Sequence, residues 1–353
     1  MNLETLGWGP FFEAEFTEYK DEGYAVGRVS LEHKRLYRVL TESDEVLAEV
    51  SGKYRFHATE RGDFPSVGDW VVLSVRPEEG KATIHATLSR KSKFSRKVAG
   101  NTTEEQIVAA NVDVVFIVAA LNADFNVRRL ERYILTTWES GANPVIVLSK
   151  ADLCENIADK VREVELIAMG VPIHVVSVET MLGIDELQGY IKPGKTIALL
   201  GSSGVGKSTL INYFAGKEML KTGSIRTDDD KGRHTTTHRE LLVLDQGGIL
   251  IDTPGMRELQ LWEAEAGLSQ GFADVEELAS QCKFRDCRHN AEPGCAVRQA
   301  IENGDLDEKR YESYVKLQKE LAYFERKEDK YLELEERDKW KKLTMEQRRK
   351  KLK

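Results

Sequence analysis

Residues 197–214 run from an apolar stretch, Ile197-Ala198-Leu199-Leu200, through an eight-residue loop into a helical stretch, Thr209 to Phe214. The loop, Gly201-Ser202-Ser203-Gly204-Val205-Gly206-Lys207-Ser208, fits G-x-x-x-x-G-K-[ST]. Strand, loop and helix in that order call for a largely parallel sheet with helices packed on it. The glycines let backbone N–H groups converge on phosphate oxygens, and the start of the helix adds positive potential. Lys207 can reach the terminal phosphates, and the Ser208 hydroxyl can enter the shell of a Mg²⁺ ion.

Two further motifs fit around this loop. Asp252-Thr253-Pro254-Gly255 follows the apolar strand Gly248–Ile251, which pairs with Glu240–Leu244 through the turn at 245–248. Its aspartate stands at a strand end, where a carboxylate reaches a magnesium shell through water, and Gly255 can offer its N–H to a γ-phosphate. Upstream, Ser149-Lys150-Ala151-Asp152 follows the strand Val145–Leu148. An ionised carboxylate only accepts hydrogen bonds, so Asp152 suits the N1–H and 2-amino group of guanine and rejects adenine. Lys150 can lay its aliphatic stem along the base. Ser149 departs from the commoner Asn or Thr. Ser177-Val178-Glu179 occupies the place of a second base-contacting loop, with Glu179 where a lysine is usual. The base-reading motif thus comes before the phosphate loop, the reverse of an ordinary P-loop GTPase. The expectation is a circularly permuted GTPase domain.

Between the phosphate loop and Asp252 lies Gly232-Arg233-His234-Thr235-Thr236-Thr237-His238, preceded by the charged loop 227–231. A threonine here fits a switch residue whose hydroxyl completes the Mg²⁺ shell only when the γ-phosphate is present. Three successive threonines leave the choice open; Thr236 is assigned, with Ser208, to magnesium. A polar strand start is the alternative.

Cys282, Cys287, His289 and Cys295 offer three thiolates and one imidazole within fourteen residues. Cys₃His is a closed tetrahedral set for one structural zinc ion, and the turns at Pro293 and Gly294 fit a compact knuckle. A redox pair or buried thiols are the alternatives. The fourth cysteine, Cys154, reads as packing, and His174, inside a strand, as a satisfied core residue.

The chain's 353 residues allow two or three domains. Short strands rich in β-branched and aromatic residues, at Tyr24–Ser30, Leu36–Leu40, Val46–Val50 and Trp70–Val75, indicate a small β-barrel, an OB-fold or an SH3-like one. The apolar runs Val112–Val118 and Pro144–Leu148, with helical spacing from Asn126 to Ser140 between them, open an α/β domain. Beyond about residue 264 strands give way to charged helix. The expected division is an OB-fold RNA-binding domain at 1–100, a permuted G domain at 101–264, and a zinc-binding helical domain at 265–353. The longest apolar run, Val114–Leu121, is far below the roughly 20 residues of a membrane span, and no signal peptide is readable, so a cytoplasmic protein is expected. A formal net charge of −8 argues against nonspecific coating of nucleic acid. Local runs differ: Arg90–Lys97 holds five basic residues and no acidic one, and Lys341–Lys353 holds seven against Glu346 alone. Such blocks mark polyanion contact, or for the tail a frayed, solvated end.

Taken together, Arg90–Lys97 leading into Glu105–Asp113, the permuted motif order, Gly232–Thr237, Asp252–Gly255 and the Cys₃His set resemble the RsgA (YjeQ/YloQ) family of circularly permuted small ribosomal subunit biogenesis GTPases, over nearly the full length. The resemblance implies an N-terminal OB-fold, a central permuted G domain and a C-terminal zinc domain. It further implies binding to the small (30S) ribosomal subunit and its 16S rRNA during late maturation, with GTP hydrolysis stimulated by the subunit. A monomer without membrane association is expected; action on another structured RNA or RNA-modifying assembly is the alternative. Met256, not a glutamine, follows Gly255, so intrinsic hydrolysis should be slow. His234 is the candidate water-positioning group, against a plainly structural role, beside Lys207 and Thr236 at the phosphoryl group.

Overall fold

Alternation of apolar and polar residues places one face of each N-terminal strand in a common interior. β1 (Ala25–His33), β2 (Leu36–Thr41), β3 (Glu45–Val50), β4 (Trp70–Arg76) and β5 (Lys81–Thr87) hydrogen-bond in the order β1-β2-β3-β5-β4, and β4 returns to β1, closing a five-stranded barrel. Only the β3–β5 pair is parallel. Helix α1 (Pro10–Asp21) lies before the barrel, and α2 (Gly52–His57) connects β3 to β4. Val29, Tyr37, Val39, Val46, Ala48 and Leu73 fill the interior. The barrel is of the OB type. The computed structural model describes residues 2–97, 105–168, 170–218, 240–252, 268–269, 271–290, 292–319 and 321–322.

Strand β1 is buried on both faces. Its outward residue Val26 packs with Leu6, Phe12 and Phe16 of the N-terminal segment and with Trp70 and Leu88. Beside them Arg28, 1% exposed, extends its guanidinium into three backbone carbonyls: Leu6 at 2.6 Å, Asn111 at 3.0 Å and Gly68 at 3.1 Å. Burial pulls its pKa down to about 10, against the charges of Asp113 and Asp69, so it stays a cation at neutral pH. One side chain thus ties the N-terminal segment, the barrel and the connection to the next domain.

That connection is a hairpin of β6 (Lys93–Lys97) and β7 (Glu105–Ala110). The basic block at 90–97 is partly structural. Arg90 forms a bidentate pair with Asp69 at 2.7 and 2.8 Å and also reaches the carbonyls of Gly62 and Phe64. Phe94 is core, and Lys93 pairs with Glu105. The basic run at 341–353 lies outside the described residues.

After Asn111, in the left-handed region at φ 56°, the α/β domain begins. β8 (Val114–Ala120), β9 (Asn143–Ser149), β10 (Ile173–Val175), β11 (Thr196–Leu200), β12 (Glu240–Val243) and β13 (Ile249–Asp252) stand in the order β10-β9-β8-β11-β13-β12, all parallel except β12. α3 (Val127–Glu139) and α4 (Ile157–Glu165) cover one face through Leu130, Ile134 and Val164. α5 (Ile184–Gln188) and α6 (Lys207–Ala215) cover the other through Ile184, Leu187, Leu210 and Phe214. Cys154 packs at the edge of the first core, and His174 is satisfied by Glu186 at 2.6 Å and the Tyr190 hydroxyl at 2.9 Å. β12 meets β1 at Leu31 and Glu240, which continues the sheet into the barrel.

Residues 1–260 form one compact unit and 261–353 a second. The second contains α7 (Ala273–Ser280), α8 (Ala296–Asn303) and a helix at 308–319. The buried Arg310 joins the last of these helices to α7 by a bidentate pair with Asp274 at 2.7 Å and by lying over the Phe272 ring.

Removing the Arg28 guanidinium orphans two buried carbonyls, those of Leu6 and Asn111, each costing about 1–3 kcal/mol when unsatisfied, while the Gly68 carbonyl keeps the Asn111 side-chain amide at 3.1 Å. Arg28→Met should therefore lower unfolding stability by at least about 2 kcal/mol in urea titrations of the whole chain. A loss below about 1 kcal/mol would show that the three bonds do not hold the seam.

Candidate functional site

In a parallel sheet the loops beyond the carboxyl ends of adjacent strands meet at one edge. Here the described loops follow β9, β8 and β11, and the carboxyl end of β13 stands beside them, these four strands being successive neighbours. The segment Gly201–Ser208 follows β11 and packs directly on β8: a Cβ at Gly201 would come within 2.3 Å of the Val118 carbonyl oxygen. Gly206, at φ 100°, caps α6, which begins at Lys207 rather than at Thr209. Lys207, Ser208 and Thr209 therefore all lie in the first turn. No side chain caps that turn, which suits a helix start that receives an anion. Lys207 Nζ bridges the carbonyls of Gly201 and Ser202, each at 2.7 Å. Ser203, Gly204 and Val205 complete the curve, with the Val205 side chain buried.

Asp252 ends β13, in register with Glu240 across the strand pair. Burial raises its pKa above the ordinary carboxylate value, while Lys207 draws it back. A divalent cation at this edge would offset that burial penalty. His234, Thr236 and Gly255 lie outside the described residues.

The loop after β9 carries Ser149, Lys150, Ala151 and Asp152. Ser149 is buried and donates to the Val205 carbonyl at 2.6 Å, linking this loop to the phosphate-type loop. A hydroxyl is enough for that bond, which accounts for serine where a longer amide is commoner. Lys150 adopts the left-handed region at φ 58°, and the Ala151 N–H donates to the Val176 carbonyl at 3.1 Å. The Ser177 hydroxyl donates to Asp152 Oδ1 at 2.5 Å, leaving the other carboxylate oxygen for a ligand. One contact had no signal in the sequence. Arg129, on the first turn of α3, donates to the Ser202 hydroxyl and pairs with Asp124 at 2.9 Å. No motif spacing marks an arginine 73 residues from its acceptor.

In the second unit the ligand atoms of Cys282, Cys287, His289 and Cys295 lie within 4.8 Å of one another. Zn–S bonds of about 2.3 Å and Zn–N bonds of about 2.0–2.1 Å in a tetrahedron imply S···S near 3.8 Å and S···N near 3.6 Å. The observed separations are 3.9 Å for Cys282 Sγ–Cys295 Sγ, and 3.5 and 3.4 Å from these sulfurs to His289 Nδ1. All three cysteines are free thiols, and His289 reaches the cluster from a left-handed backbone at φ 57°. Burial works against the Cys282 thiolate, but the amides of Val297 and Ala296 at the start of α8 hold its pKa below the usual thiol value. The set could hold one structural zinc ion.

Fold and site define a circularly permuted P-loop GTPase. The RsgA GTPase family model matches residues 87–262. A protein of Lactiplantibacillus plantarum named small ribosomal subunit biogenesis GTPase RsgA 2 is 50% identical over 323 residues, 92% of this chain and 90% of that protein. The crystal structure of YjeQ from Thermotoga maritima superposes with a TM-score of 0.63 at 32% identity, covering 85% of this chain and 99% of that one. The structure of YloQ, described as a circularly permuted GTPase, gives 0.61 at 26% identity, covering 85% and 95%. The chain belongs to the RsgA GTPase family. It is a GTP-hydrolysing enzyme, and as such uses Mg²⁺ with its nucleotide.

The purified protein should contain one zinc per chain by elemental analysis. Cys287→Ser should lower that content and the helical signal of residues 261–353 together. Full zinc occupancy in the variant would remove Cys287 from the ligand set.

Proposed function

We propose that this GTPase binds the small ribosomal subunit through its rRNA and assists late maturation, hydrolysing GTP when the subunit stimulates it. The relatives' names supply the partner, and the site supplies the reaction. The observation that carries the nucleotide assignment is the Ser149–Val205 bond. It joins a loop ending in a guanine-compatible carboxylate to a loop built for phosphates, so one nucleotide spans both. On this reading Asp152 and Ser177 read the base, with Ser149, Lys150 and Ala151 shaping its pocket. The amides of Gly201–Thr209, Lys207 and a Mg²⁺ held by Ser208 and Thr236, with Asp252 behind it, stabilise charge on the transferring phosphoryl group. Gly255 donates to the γ-phosphate, and His234 positions water once subunit contact orders the switch segment. The barrel at 1–100 and the zinc domain at 265–353 are the RNA-facing parts, on either side of the G domain at 101–264 in the sequence. A ribosomal partner supports the reading of a cytoplasmic protein, which we take to act as a monomer; no helix among the described residues is long and apolar enough to cross a membrane.

Turnover of GTP and ATP, with and without small ribosomal subunits, tests the proposal. GTP hydrolysis should rise at least about tenfold with subunits while ATP hydrolysis stays at background, and Lys207→Ala should abolish the stimulated rate. His234→Ala should keep nucleotide affinity and lose the stimulation. Equal turnover with and without subunits would sink the ribosomal reading.

A further inference from the structure

We infer that Arg129 is a positioning residue for the phosphate loop: with Asp124 as its second anchor, it fixes Ser202 and so sets the loop's shape before nucleotide arrives. This rests on the reading of Gly201–Ser208 as the phosphate cradle. Strand β8 lies between β9 and β11, so the turn after it runs between the base-type loop and the phosphate-type loop. That turn is itself ordered. The Leu121 N–H donates to the Ser149 carbonyl at 2.8 Å, the Asn122 side chain accepts from the Asp124 N–H at 3.0 Å, and the Asn126 side chain caps α3 by accepting from the Arg129 N–H at 3.0 Å. The capped turn delivers the Arg129 guanidinium to Asp124, at 2.9 and 3.3 Å, and to the Ser202 hydroxyl.

An isolated surface arginine–aspartate pair contributes only about 0–1 kcal/mol. The third partner gives this one a different role. The loop is held at three points: Gly201 against the Val118 carbonyl, Ser202 by Arg129, and Val205 by the Ser149 hydroxyl. Lys207 adds a fourth tie, to the Gly201 and Ser202 carbonyls. A bound phosphate draws that ammonium away. The Arg129 contact is then the remaining side-chain tie on the first half of the loop among the described residues. Without it, residues 201–204 must be ordered by the ligand itself, and the ordering cost appears as lost affinity. Because the loop is ordered equally in the bound ground state and the transition state, KM carries the effect and kcat does not.

The test measures equilibrium binding and dissociation of a fluorescent GDP analogue, with kcat and KM for GTP, in the full-length protein. The variants are Arg129→Ala, Arg129→Lys, Ser202→Ala and the Ala/Ala double, with Arg162→Ala, an exposed arginine of α4 paired with Asp159, as a surface control and Lys207→Ala as the loop control. Arg129→Ala and Ser202→Ala should each weaken GDP binding about tenfold, and the double variant no further, because both remove one contact. Arg129→Lys should recover part of the loss, Arg162→Ala should leave GDP affinity unchanged, and kcat at saturating GTP should stay within about threefold throughout the Arg129 series. If Arg129→Ala binds GDP within about twofold of the unmodified protein while Lys207→Ala does not bind, the positioning role is wrong and the phosphate-cradle reading stands. If Lys207→Ala itself binds GDP normally, that reading fails first.

Discussion

The carbonyl oxygen of Val118 occupies the space where a side chain on residue 201 would begin, 2.3 Å from an ideal Cβ. This close approach, available only to glycine, seats the phosphate loop on the middle strand of the sheet. The rest of the site follows from that seating. Val205 comes within reach of Ser149 on one side, and on the other Lys207, at the start of α6, comes near enough to Asp252 for its charge to work against the burial that raises that carboxyl's pKa. None of these contacts depends on which segment was synthesised first. They require only that β9, β8, β11 and β13 be neighbours. A GTPase domain can therefore be cut and rejoined without loss of its site, provided its original ends lie close together, as domain ends often do.

The permuted order has a consequence at the new start of the domain. β8 is entered from the barrel through a short hairpin, and the junction is closed by buried polar groups rather than by apolar packing alone. Arg28 satisfies carbonyls from three segments, and Asn111 and Asp69–Arg90 complete the seam. A hydrogen-bonded junction of this kind fixes orientation more strictly than an oily one, because a rotated partner would leave charge and carbonyls unpaired in a dry interior. The barrel is thereby held as an extension of the nucleotide-binding sheet, which β12 joins to β1.

The parts of the fold that were legible in the sequence are those in which composition and burial agree. β8, β9 and β11 are covered on both faces and read as unbroken apolar runs. The phosphate loop and the Cys₃His set were legible because their chemistry admits few other residues. Other features depend on partners distant in sequence. β5, Lys81-Ala-Thr-Ile-His-Ala-Thr, carries little apolar signal and is a strand because β3 and β4 flank it. Phe94 sits among basic residues, yet the hairpin folds it into the core. Arg90 faces Asp69, 21 residues away, rather than solvent. Helix α1 escaped because its buried residues are few, Phe12 and Phe16. Arg129 belongs to the site only through its contact with Ser202, which no local spacing encodes.

On the proposed reading, the base-type loop after β9 and the phosphate loop after β11 serve one guanine nucleotide. Asp152 tests it directly, since its carboxylate accepts from Ser177 and keeps one oxygen for the base. Replacing that acceptor with an amide donor should exchange guanine for xanthine, whose 2-position bears a carbonyl in place of the amino group. For Asp152→Asn, affinity for GDP should fall on the order of 100-fold or more while xanthosine diphosphate binds in its stead. Unchanged GDP affinity, with no gain for the xanthine nucleotide, would contradict the account.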